Sequence, residues 1–257
     1  MTSGCRTLVL VVAWSLAACA SNTAGVAQTT RPTAPVVDAT LAPAAQTLWN
    51  SYERALYDSA VYENANIRPL RPLVPDADGN VLVVTLTKWD AEPGTTLTAG
   101  KGGSWVTGVP EVQAICRGFR GDIVMQLRQL LGLPPDAEEN WFLLLRARAA
   151  DIFRPATDDL TSTRFPCAIA DAAAVPSDCG NVIPDTTTPA HYAWMASSSF
   201  SLHQVPSGYP WTHLGYTYNW MPGADRYGAS EYVIRPKATA TVLQHIPPAE
   251  YCAPATQ

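Results

Sequence analysis

The side chains best able to do chemistry gather in the last third of this sequence. His191, Ser197, Ser198, Ser199, His203, His213, Tyr216, Tyr218, Asp225, Arg226 and Glu231 are interleaved there with Trp211 and Trp220. An aromatic-lined cleft holding a few polar groups is the usual form of a small-ligand or carbohydrate site. On that chemistry Trp211, Tyr216, Tyr218 and Trp220 are ligand-binding candidates, and Glu231, Ser198 and His213 are catalytic ones. The plain alternative is that the same aromatics are core or sheet-surface residues. A serine nucleophile has little local support, because no Gly-x-Ser-x-Gly elbow occurs. Zinc has little either: His203 and His213 stand ten apart and there is no His-Glu-x-x-His. Gly100-Lys101-Gly102-Gly103-Ser104 lacks phosphate-loop spacing, and Asp76-Ala77-Asp78-Gly79-Asn80 lacks the ligand pattern and closing Glu of a calcium loop, so both read as turns. No metal and no cofactor is expected.

Ser197-Ser198-Ser199-Phe200, followed by Ser230-Glu231-Tyr232-Val233-Ile234-Arg235-Pro236 and a final strand, faintly resembles ADP-ribosyltransferases. That family places a Ser-rich strand under the nicotinamide and a glutamate at the start of a later strand. The resemblance implies that Glu231 is the carboxylate stabilising a ribosyl oxocarbenium ion and that Ser197 to Ser199 support the pocket. Two residues before the glutamate, where the family commonly has an acid, this chain has Ala229. No upstream arginine or histidine motif can be placed, although Arg117 and Arg146 are available. Without the resemblance, Glu231 reads as a strand-edge carboxylate paired with Arg226 or Arg235.

Those residues need elements to position them. Leu48, Tyr52, Leu56 and Tyr57 recur at helical spacing between residues 40 and 63, widened by Ala45, Trp49 and Ala60. Prolines 69, 72 and 75 rule out helix in the following connector. Residues 81–87, 105–107, 141–145, 230–234 and 239–243 are rich in β-branched, aromatic and aliphatic residues and read as strands. Pro110 opens a helix carrying Cys116, and residues 122–131 form another, with Asp122 as N-cap and a stop at Gly132 and Pro134. Residues 158–189 read as an irregular excursion closed by a disulfide. Strands and helices mix without βαβ alternation, which predicts an α+β fold: a single domain, mainly antiparallel sheet with two or three helices, disulfide-stabilised.

The start of the chain speaks to location. Arg6 precedes an apolar run too short to span a bilayer core, which needs about 20 residues. The run ends in Leu16-Ala17-Ala18-Cys19, which resembles the lipobox of bacterial lipoproteins. The resemblance implies a signal peptide over residues 1–18 and acylation of Cys19. Cleavage by ordinary signal peptidase at Ala18 or Ala20 is the alternative. Residues 19–39, rich in Ser, Thr, Ala and Pro, then form a disordered tether to a globular domain over residues 40–257. Ala20 rather than Asp after the cysteine leans towards the outer membrane in the enterobacterial sorting pattern.

The mature region keeps 16 Lys and Arg against 22 Asp and Glu, without a basic run, which argues against nucleic acid. Cys116, Cys167, Cys179 and Cys252 are an even set suited to an oxidising compartment. Three pairings are open; the short loop between Cys167 and Cys179 favours that pair, leaving Cys116 with Cys252. Stretches around Trp105-Val106-Thr107, Leu130-Leu131-Gly132, Phe153-Arg154-Pro155 and residues 209–220 are similar to a group of bacterial secreted proteins of no established activity. The expected role is therefore a lipid-anchored envelope protein facing the periplasm or surface. It would bind an envelope or small-molecule ligand, or serve structurally; the alternative is ADP-ribosyl or glycosyl transfer or hydrolysis centred on Glu231.

Overall fold

The computed structural model describes residues 43–61, 66, 68, 70–156, 189–205 and 207–254. All of these fall in one compact unit, Ala34–Gln257. The signal segment, Cys19, the tether and the Cys167–Cys179 excursion lie outside the described residues.

The fold is α+β. Eight strands form one antiparallel sheet: β1 Asn80–Thr87, β2 Thr96–Thr98, β3 Ser104–Gly108, β4 Trp141–Arg148, β5 Ile152–Phe153, β6 Tyr216–Tyr218, β7 Tyr227–Ile234 and β8 Thr239–Ile246. Their order is β2-β8-β4-β1-β3-β7-β5, with β6 also on β7. The helices are α1 Pro43–Ser59, α2 Glu111–Cys116, α3 Ile123–Leu130, α4 Pro189–Leu202 and α5 Pro248–Tyr251. Of these five described helices, α1 and α3 fall where the sequence pattern puts them, α4 is a helix that the pattern does not announce, and α2 and α5 are short turns against the sheet.

β1 and β4 pair over their whole length, from Asn80 opposite Arg148 to Thr87 opposite Trp141. Period-two alternation then divides the apolar residues between two faces. Val81, Val83, Leu143 and Leu145 belong to one core with Tyr232. Val84 and Phe142 face the other way and meet Val112, Cys116, Leu127, Leu130, Tyr251 and Cys252. Burying each large apolar side chain stabilises by about 1.5–3 kcal/mol. This second face, with α2, α3 and α5 against part of it, is the one that carries the candidate site.

The helix signals act as anticipated. Asp122 Oδ1 accepts from Met125 N at 3.0 Å and caps α3. Gly132 follows the helix in the left-handed region at φ 69°, where a β-carbon is disfavoured, and turns the chain towards β6. In α1 the inward face is Tyr52, Ala55, Leu56 and Ser59. Tyr57 points to solvent, because it sits one step of 100° beyond the stripe begun by Leu48. The Asp76 turn is an Asx turn: Oδ1 accepts from Asp78 N and Asn80 N at 3.0 and 2.9 Å, and Arg146 pairs with both aspartates.

Cys116 and Cys252 are bridged, with Sγ atoms 2.06 Å apart. The bridge joins the end of α2 to the residue after α5. Gln113 Nε2 also donates to Tyr251 O at 3.0 Å, so covalent and polar ties coincide. Among the described residues no helix is long and apolar enough to cross a membrane.

Candidate functional site

Sheet register builds the site. Thr107 on β3 lies opposite Val84 on β1 and Glu231 on β7, so these three side chains form a row across one face. Trp105 flanks that row from β3, and Leu86 and Phe142 flank it from β1 and β4. The Leu131-Gly132-Leu133 turn after α3 and the segment Tyr209-Pro210-Trp211 close over it. The cavity, a partly open cleft, measures about 320 Å³ and is lined chiefly by these apolar and aromatic residues, with Glu139 and Glu231 as its acids.

Glu231 is therefore not the edge carboxylate of the simpler sequence reading. β7 lies inside the sheet, and Arg226 binds Asp58 at 2.9 Å instead. The neighbouring Ser230 faces the opposite side, donating from its backbone N to Glu111 Oε2 at 3.1 Å. Glu231 keeps some surface towards the cavity but is otherwise surrounded by protein, and this loss of solvation pushes its carboxyl up to about 8. A neutral carboxyl at ordinary pH donates a hydrogen bond or a proton, which an exposed glutamate does not.

Behind Trp211 is a second polar pair. Ser199 Oγ on α4 lies 2.7 Å from His213 Nε2. The His213 ring contacts the Trp211 ring with centroids 3.9 Å apart, and His203 stacks on it at 4.9 Å. Thr212 produces the tight turn: its Oγ1 donates to Tyr216 O at 2.8 Å and accepts from Leu214 N at 3.2 Å. His213 takes φ 58° there, a left-handed conformation that throws its ring towards α4. Burial first, then the neighbouring His203, drops the His213 pKa to about 4. The distance suits a nucleophile and its base, but so weak a base accepts the serine proton poorly near neutrality. The pair acts as a latch joining α4 to the sheet side of the molecule.

The sequence candidates separate accordingly. Glu231, Trp211 and Tyr218 line the cavity. Tyr218 also donates its hydroxyl to Asp58 Oδ2 at 2.5 Å. Tyr216 instead packs with Leu70 and Leu214 and donates to Asn66 O at 2.8 Å. Trp220 is buried against Tyr52 of α1 and donates to Leu133 O at 3.0 Å. Ser197 to Ser199 stand in α4, not in the strand implied by the transferase resemblance, and Ser199 rather than Ser198 meets His213. Arg117 donates to Ala253 O and Arg146 is held by the Asp76 turn, so neither supplies a cation to the cavity.

Glu139, Trp105, Phe142 and Tyr209 were not among the sequence candidates, yet they line the cavity. Glu139 precedes β4 without any local pattern, and only the strand order brings it near Tyr209. Among the described residues no group of three or more His, Cys, Asp or Glu is placed to hold a metal ion. Comparison of the chain with family models, with curated proteins and with solved structures gives no match.

Proposed function

We propose that this is a lipid-anchored envelope protein whose domain holds a small ligand in the sheet-backed cavity, with Glu231 as the principal polar contact. The observation that carries the binding reading is a single one. A carboxyl that keeps its proton near neutrality is set in a cavity of about 320 Å³ whose walls are mainly aromatic and aliphatic. A glutamate placed there costs stability unless a ligand uses it, since burying a polar group without a partner is unfavourable. The envelope location is supported by Leu16-Ala17-Ala18-Cys19 and by the Cys116–Cys252 bridge, which suits an oxidising compartment. Mass spectrometry of the mature N-terminus tests the anchor, an unacylated or unprocessed chain counting against it. A small-molecule screen by thermal shift tests the cavity. Hits are expected to lose their effect in Glu231→Gln and in Trp211→Ala, and hits that survive both substitutions would place the ligand elsewhere.

One observation favours an enzymatic reading of the same site: Glu231 and Glu139 line one cavity, and a protonated carboxyl beside a second carboxyl is the chemistry of glycosyl transfer and hydrolysis. Glu231 would protonate the leaving oxygen. Turnover of fluorogenic glycosides by the purified chain, abolished in Glu231→Gln, is the outcome this reading requires.

A further inference from the structure

We infer that the ligand of this cavity is an organic cation, an ammonium centre carried on a small apolar or aromatic body. The inference rests on the binding reading above and names the chemical class that the cavity selects.

Charge is the first argument. Trp105, Phe142, Tyr209 and Trp211 line the cavity together with Glu139 and Glu231, and no Lys, Arg or His among the described residues joins them. Lys88, whose charge reaches Tyr209, is held by Glu138 at 3.2 Å and is not part of the lining. An anion would meet two acids and no counter-charge.

Hydrogen-bond accounting is the second. Glu139 Oε2 is shut off from solvent and has no hydrogen-bond partner among the described residues. Three of the hydroxyls that line the cavity already have acceptors: Thr217 Oγ1 donates to Leu130 O at 2.7 Å, Thr107 Oγ1 to Val84 O at 3.5 Å and the Tyr218 hydroxyl to Asp58 Oδ2 at 2.5 Å. A cation in the cavity supplies Glu139 with a counter-charge through space, without having to touch that oxygen, and a neutral ligand does not.

The walls are the third. Aromatic side chains attract cations through the negative potential of their faces, and aromatic cages commonly recognise alkylammonium groups. Burial alone lifts the Glu231 carboxyl to about 8, with no cation nearby to oppose it. A bound cation would supply that opposition, ionise Glu231 and release its proton. The titratable residues lining the cavity are Glu139, Tyr209, Tyr218 and Glu231, and burial raises both tyrosines further above their ordinary value. Glu231 is therefore the group whose proton is displaced.

The test is calorimetric titration of the purified full chain with four probes of similar shape: phenethylamine, its N-trimethyl form, neutral 2-phenylethanol and anionic phenylpropanoate. Both cations are expected to bind about tenfold or more tightly than the alcohol. The affinity of the permanently charged probe should climb between about pH 6 and about pH 8 and then level off, with a proton released on binding. Glu231→Gln should remove the proton release and the pH dependence, and Glu139→Gln should reduce the preference for charge. If the alcohol or the carboxylate binds as well as the cations, the cation inference fails while the cavity remains a binding site. If no probe of any charge binds or shifts the melting temperature, the binding reading falls as well.

Discussion

At the scale of single residues, two buried titratable groups give the domain an unusual pH response. Glu231 has its folded pKa raised to about 8, above an unfolded value of about 4.3, so the folded state holds the extra proton between those values. Stability from Glu231 is therefore present at low pH and lost as pH rises through 8. His213 works in the opposite sense: its folded value near 4 lies below the unfolded 6.5, so stability is lost as pH falls from 6.5 towards 4. His203 is shifted the same way as His213, and Glu111 the same way as Glu231, both by burial. Urea unfolding across pH should give a broad maximum near pH 5–6.5 with a decline on the alkaline side. Glu231→Gln should flatten that decline and be the more stable protein at pH 9, by on the order of a few kcal/mol. A wild-type profile flat between pH 6.5 and 8.5 would contradict the assignment. Glu231 stood out in the sequence only by resemblance to a family whose serine strand is a helix here, and its place in the cavity lining came from the sheet register. Which serine meets His213 was not, because that depends on the rotation of α4 against the sheet.

At the scale of elements, most strands were readable because β-branched and aromatic runs have little other way to bury themselves. Residues 81–87, 141–145 and 239–243 all fall inside strands, as does 105–107. The cap of α3 was readable too. Replacing Asp122 by Ala removes the acceptor for Met125 N and should cost about 1 kcal/mol, measured as a lower urea midpoint with unchanged slope. α4 escaped notice because Ala193, Met195, Ala196 and the serines give it no apolar stripe of helical period. Its inward contacts are individual ones instead, such as Trp194 Nε1 donating to Gly102 O at 3.1 Å.

For the whole molecule, the sheet order is the part that the sequence hid. Strands distant along the chain lie side by side: β4 pairs with β8, and β3 with β7. Local pattern fixes a strand's faces but not its neighbour, so the cavity, with Glu139 and Glu231 both in its lining, was invisible until the topology placed them. The cysteine pairing fared better, since Cys116 and Cys252 are joined as the short Cys167–Cys179 loop suggested by elimination. That bond closes a loop of 136 residues in the unfolded chain. Its reduction should destabilise the domain by about 2–4 kcal/mol, read as a fall in unfolding midpoint when a reductant is added, and Cys116→Ala with Cys252→Ala should reproduce the loss.

Gly103 shows how far from the cavity its composition is decided. It enters β3 at φ 80°, and a β-carbon there would sit 2.7 Å from Ile234 O at the far end of β7. That near-contact is a ratchet tooth for the two strands. If β7 slid by one position, Ser230 or Tyr232 would occupy the seat of Glu231, and the acid would turn to the opposite side of the sheet. A methyl group at residue 103, without touching any ligand, could thus exchange a proton donor for a hydroxyl.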